Sequence, residues 1–121
     1  MKIIQSYLHG ESLGISASIG VLVEVETDTS GKDKRELLNE LGRELALQIA
    51  ATNPSHIGEK QFHDVPNGDV DNKSSEPGDL LIQGWIKDPD KLIGDLIYEC
   101  ETKIGAPVKI NRFVRYEADD T

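Results

Sequence analysis

At 121 residues, 37% hydrophobic and 29% charged, the chain has room for one folded domain and not for two of ordinary size. Its 22 Asp and Glu outnumber 13 Lys and Arg, for a formal charge of −9, a field that excludes nucleic acid and anionic membrane surfaces as direct partners and favours a basic patch on another protein. The single cysteine, Cys100, rules out an internal disulfide, and no apolar run approaches the roughly 20 residues needed to cross a bilayer.

Ile3 to His9 is short, apolar and aromatic, and reads as a strand. Gly10 to Gly20 carries a turn, and Ile19 to Glu26 follows with the alternation Val23-Glu24-Val25-Glu26 of a strand with one wet face. The connection is too short for a crossover helix, so the two strands pair antiparallel. From Asp33 to Ala51, Leu38, Leu41, Leu45 and Ile49 fall at spacings of three and four and form one helical stripe. Asp33 with Glu36 has the form of a capping-box variant at the positive helix end, and the helix must stop by Asn53-Pro54, because the residue before proline disfavours helical geometry.

Gly58 to Asp79 loses every period and is dense in Gly, Pro, Asp, Asn and Ser, which makes it a long polar loop. Leu80 to Ile86 reads as extended. Asp88-Pro89 then offers an N-cap and a proline at the first helical position, ahead of the stripe Ile93, Leu96, Ile97, Cys100 and Ile104. Gly105 closes that second helix in the left-handed position with Pro107 just beyond, and Val108 to Glu117 forms a last strand. The fold class is α+β: an antiparallel sheet of about three strands with helices packed on one face, in a single domain over residues 1–121.

Catalytic signatures are missing. Gly31-Lys32 lacks the upstream glycine and the Ser/Thr of a phosphate loop, and His9, His56 and His63 stand too far apart in sequence for zinc-ligand spacing. Asp64, Asp69 and Asp71 share a loop but not the alternate-carboxylate pattern of a calcium site. Cys100 sits on an apolar stripe between Glu99 and Glu101, the setting of a small hydrophobe and not of a nucleophile. Trp85 reads first as a core filler and second as an interface anchor. The expectation is a protein-binding domain with no enzymatic activity, cofactor or metal.

Three separated stretches carry a resemblance. Ser6-Tyr7-Leu8-His9-Gly10 with Ile19-Gly20-Val21-Leu22-Val23-Glu24-Val25 looks like the opening hairpin of an elongation factor Ts core domain. Leu45-Ala46-Leu47-Gln48-Ile49-Ala50-Ala51-Thr52-Asn53-Pro54 is similar to the end of that family's following helix. Trp85-Ile86-Lys87-Asp88-Pro89, Gly94-Asp95-Leu96-Ile97, Lys103-Ile104-Gly105 and Arg112-Phe113-Val114-Arg115-Tyr116-Glu117 resemble its close. The family's N-terminal helical domain has no counterpart in these residues, and the helical hairpin between its halves is replaced by the polar loop, so the resemblance implies a minimal core.

It also implies a guanine-nucleotide exchange factor that binds elongation factor Tu carrying GDP and speeds nucleotide release, in the cytoplasm or in an organelle after removal of a presequence. The family's Thr-Asp-Phe-Val motif has Thr27-Asp28-Thr29-Ser30 as its nearest text here, or Thr29-Ser30-Gly31-Lys32 if the flanking strand and helix keep register, and neither supplies the phenylalanine. The partner-binding residues implied or inferred are Tyr7, His9, Thr27, Asp28, Thr29 and Trp85. His9, from the family's Tyr-x-His-Gly segment, faces the partner's third domain in this resemblance, and it also reads as a residue that merely caps the turn. Two alternatives stand beside exchange: an elongation factor Tu-binding module without exchange activity, and a homodimer built through exposed sheet surface.

Overall fold

The computed structural model describes residues 1–10, 18–58 and 78–118. The order of elements is strand β1 (Lys2–His9), strand β2 (Ile19–Thr27), helix α1 (Lys32–Thr52), a short 3-10 turn (Leu80–Ile82), strands β3 (Gly84–Trp85) and β4 (Asp88–Leu92), helix α2 (Ile93–Ile104) and strand β5 (Val108–Glu117). β1, β2 and β5 make an antiparallel sheet in that spatial order, and β3 with β4 makes a separate two-stranded ribbon. The fold is α+β, with both helices on one face of the three-stranded sheet.

Period-two alternation puts Ile3 of β1, Val21, Val23 and Val25 of β2, and Val108 and Ile110 of β5 on the inner face, all buried. α1 covers them with Leu38, Leu41, Leu45 and Ile49, and α2 adds Ile93, Ile97, Cys100 and Ile104. Each such aliphatic side chain contributes roughly 1.5–3 kcal/mol by leaving water. Gly42 lets α1 settle close to β1, since a Cβ there would stand 2.7 Å from Gln5 Cγ. Asn111 is the extra residue where the β2–β5 register shifts between Glu24 and Val25, and its amide reaches both Glu24 and Glu26.

Three local expectations are corrected. No side chain caps α1: its N-cap is Gly31 and Asp33 lies within the first turn, where its charge still favours the helix dipole. Leu80 to Ile86 is a 3-10 turn followed by a two-residue strand instead of one extended run. Asp88-Pro89 does not start α2. It opens β4, where the Asp88 carboxylate accepts from the Asp90 N–H, and α2 begins five residues later, with the Asp95 carboxylate accepting from the Leu92 N–H. A proline fits there because a two-stranded ribbon has only edge strands. The end of α1 in left-handed Asn53 and the close of α2 at left-handed Gly105 (φ 82°) follow the sequence.

His63, Asp64, Asp69, Asp71 and most of the polar loop expected over 58–79 lie outside the described residues. The ends of that stretch are adjacent: His56 and Asp79 form a parallel bridge, and Leu80 N–H and Leu81 N–H donate to the carbonyls of His56 and Ile57. Among the described residues no helix is long and apolar enough to cross a membrane, and no group of three His, Cys, Asp or Glu stands together.

Candidate partner-binding surface

The candidate residues fall in three places. Tyr7 and His9 share the end of β1 on the side that faces the C-terminal end of α1. Both project the same way because strand residues two apart share a face. Tyr7 Oη lies 3.1 Å from His9 Nδ1 and their rings stack at 6.1 Å between centroids. The His9 carbonyl accepts from the Ser18 N–H at 2.8 Å and from Ser18 Oγ at 3.1 Å, so the strand end is fixed while the imidazole stays exposed.

Arg115 of β5 closes the space beside them. Its Nε and Nη2 donate to the Ala50 carbonyl at 3.2 and 3.0 Å, and Nη2 also meets Glu117 Oε1 at 2.8 Å. A cation on the last carbonyls of a helix is favoured by the helix dipole and by the otherwise unpaired acceptors. Tyr7, His9, Ile19, Leu47, Ala51 and Arg115 then line a cleft of about 320 Å³. Sequence reading missed Arg115, whose contact with Ala50 spans 65 residues of chain.

The second place is the opposite end of β2. Nine residues at roughly 3.3 Å each put it about 25–30 Å from the first. Thr27 is 1% exposed there, its hydroxyl donates to the Pro107 carbonyl at 2.8 Å, and its N–H donates to the Met1 carbonyl at 2.9 Å. Thr27 is therefore a buried clasp between β2 and the start of β5. Asp28 is exposed and Thr29 half-buried, with Thr29 Oγ1 accepting from Lys34 Nζ at 3.3 Å.

Trp85 is the third place, half-buried on the ribbon beside α1 and packed against the edge of the core. Its Nε1 donates to Glu44 Oε2 at 3.3 Å, and Lys87 Nζ stands 5.9 Å over its ring while pairing with Glu44 Oε1. Beyond Trp85 a larger cleft of about 540 Å³ runs between the helices, floored by Leu37, Leu41, Leu96 and Cys100. Burial pushes the Cys100 thiol above its ordinary range, which keeps it protonated and unreactive.

The outer face of the sheet is a fourth surface. Ile4, Leu8, Leu22 and Tyr116 are exposed on it at 58, 55, 49 and 74%. Beside Ile4 this face turns charged: Glu24, directly across from it, accepts from Asn111 and Arg112, which hold its carboxyl below the usual range.

The elongation factor TS family model matches residues 1–74. The chain is 33% identical to elongation factor Ts of Alkaliphilus metalliredigens over 144 aligned positions, covering 98% of this chain and 64% of that protein. It is 31% identical to elongation factor Ts of Alkaliphilus oremlandii (98% and 63%) and 30% identical to that of Thermodesulfovibrio yellowstonii (98% and 69%). The chain thus spans about two thirds of the length of the curated relatives it matches, and just under that for the first two.

Proposed function

The chain belongs to the elongation factor Ts family, and on that premise we propose that it binds elongation factor Tu and promotes release of its GDP. The observation that carries this is the alignment of proteins named elongation factor Ts with 98% of the chain. The molecule makes and breaks no bond in this reading. It acts as a ligand in the cytoplasm, binding the nucleotide-free partner more tightly than the GDP-loaded one, so that GDP and this chain weaken each other reciprocally.

The contact residues are Tyr7 and His9 at the end of β1, Asp28 and Thr29 just beyond β2 at the opposite end of the sheet, and Trp85 on the ribbon. Paired strands β1 and β2 hold these two contact points about 25–30 Å apart, so the sheet can grip one part of a partner while straining another. Thr29 offers less apolar area than the aromatic residue the resemblance places in this segment, so tight binding with a modest acceleration is expected. Stopped-flow release of labelled GDP from elongation factor Tu, at saturating concentrations of this chain, is the test. Faster release supports the reading. Stable capture without acceleration leaves a binding module, and no capture removes both.

A second reading, self-association through the outer sheet face, is favoured by the exposed Ile4, Leu8, Leu22 and Tyr116. A sedimentation coefficient that rises with concentration supports it, and a strict monomer up to high micromolar concentration counts against it.

A further inference from the structure

Glu44, Gln48 and Thr52 recur at four-residue spacing on α1 and stand in one row, beside the apolar stripe and not within it. Every member of the row touches the segment 83–87. Glu44 holds the Trp85 indole N–H and the Lys87 ammonium. The Gln48 amide nitrogen donates to Gln83 Oε1 and to the Gly84 carbonyl, both at 3.0 Å, and Gln48 Oε1 accepts from the Ile86 N–H at 2.9 Å. Thr52 Oγ1 lies 2.8 Å from Gln83 Oε1.

Gln48 is the centre of the row and is 0% exposed. A buried amide is costly unless its donors and acceptors are met, and here all three contacts go to one segment. The segment has little to fix it by itself. β3 is two residues long and pairs with β4 at only Gly84–Leu92 and Trp85–Asp88, and a lone two-stranded ribbon is marginal in water. Yet it carries Trp85, 41%-exposed Ile86 and exposed Lys87. Its orientation is set from α1.

We propose that Gln48 is a positioning residue for partner binding: it fixes the angle at which Trp85 and Ile86 meet the partner as an apolar contact, without touching the partner itself. This rests on the reading that elongation factor Tu is bound and that Trp85 contacts it. Trp85 is the only tryptophan in the chain, so its fluorescence reports on this ribbon alone.

The experiment pairs acrylamide quenching of the free protein with calorimetric titration of elongation factor Tu, for wild type, Gln48→Leu, Gln48→Glu, Trp85→Ala and the Gln48→Leu/Trp85→Ala double variant. Quenching is expected to rise about twofold in Gln48→Leu, because an apolar side chain leaves the Gly84 carbonyl and Ile86 N–H without partners. Gln48→Glu keeps the acceptor and loses the donors. Its quenching should fall back toward wild type below about pH 5, where a protonated carboxyl donates again. Affinity should drop roughly tenfold in Gln48→Leu, and the double variant should lose clearly less than the sum of the two single losses, the mark of one residue acting through the other. Unchanged quenching in both Gln48 variants overturns the positioning role whatever binding does, and additive losses overturn the route through Trp85. A wild-type chain that does not bind overturns the functional reading and the contact with it, even where the quenching follows expectation.

Discussion

The two faces of the three-stranded sheet are built from the same strands and meet opposite fates. Ile3 and Ile4 are neighbours of one residue type, yet Ile3 is 6% exposed under α1 and Ile4 is 58% exposed on the outer face. On β2, Val23 at 1% and Leu22 at 49% repeat the contrast. The strand alternation decides which residue looks inward. It does not make the outward residue polar, as exposed Leu8 and Leu22 show. The inner face is where folding energy is gained; the outer face adds little to folding and is left in solvent.

The comparison breaks most visibly at that isoleucine pair. Ile3→Ala should cost about 2–4 kcal/mol, through lost transfer energy and the cavity left under α1. Ile4→Ala should change monomer stability by less than about 0.5 kcal/mol, since little area is withdrawn from solvent there. Urea unfolding of both variants measures the gap, and a gap under about 1 kcal/mol would mean that the sheet is covered on both sides.

A second contrast lies at the Thr27 end. Thr27→Val conserves shape but leaves the Pro107 carbonyl without its buried donor, so it should cost about 1–2 kcal/mol. Thr29→Val, two residues on and half-buried, removes only a 3.3 Å contact from Lys34 and should cost a few tenths of a kcal/mol. Equal losses at the two positions would reject the buried-clasp role of Thr27.

How far each region could be read from sequence follows the range of its contacts. Both faces of the sheet, the stripes of α1 and α2 and the left-handed close at Gly105 depend on neighbours within a turn or a strand, and period and caps reveal such neighbours. At the ribbon, Asp88-Pro89 carries a genuine helix-start signal yet opens β4. What overrides it is tertiary: Gln83, Gly84 and Ile86 are pulled against α1 by Gln48, across 35 to 38 residues of chain. A polar residue inside Leu45-Ala46-Leu47-Gln48-Ile49-Ala50 was the visible hint. Tyr7 and His9 were legible as a pair, whereas Arg115, which closes the cleft beside them, was not, because nothing local distinguishes one strand arginine from another. Likeness of motif places Thr27 among the contacts, and only the fold shows that its hydroxyl is engaged by the Pro107 carbonyl, 80 residues away.

A third contrast concerns association. Leu22→Lys should leave monomer stability within about 0.5 kcal/mol, because the side chain stays half in solvent. If the outer face pairs with a second copy, the same change should weaken that pairing at least tenfold, as a charge placed in an apolar contact does. Val23→Lys would instead unfold the chain, having no solvent to reach. Sedimentation separates the two variants.

The smallest effect sits at the charged part of the outer face, and its sign can be worked out. Glu24 accepts from Asn111 Nδ2 at 2.8 Å and from Arg112 Nη2 at 3.1 Å, and these contacts, Asn111 first, hold its carboxyl below the ordinary 4.5 in the folded protein. A lowered folded-state pKa means that the unfolded chain binds the proton more readily, so the stabilisation is present in full above about pH 4.5 and disappears as pH falls through the folded value. Solvent and salt reach this pair, so the amplitude is small. Glu24→Gln has no proton to take up at this position. Between pH 6 and pH 3 the wild-type stability should therefore fall more steeply than that of Glu24→Gln, with the curves diverging only below the ordinary carboxyl value. Parallel curves would show that the outer-face carboxylate contributes nothing to folding.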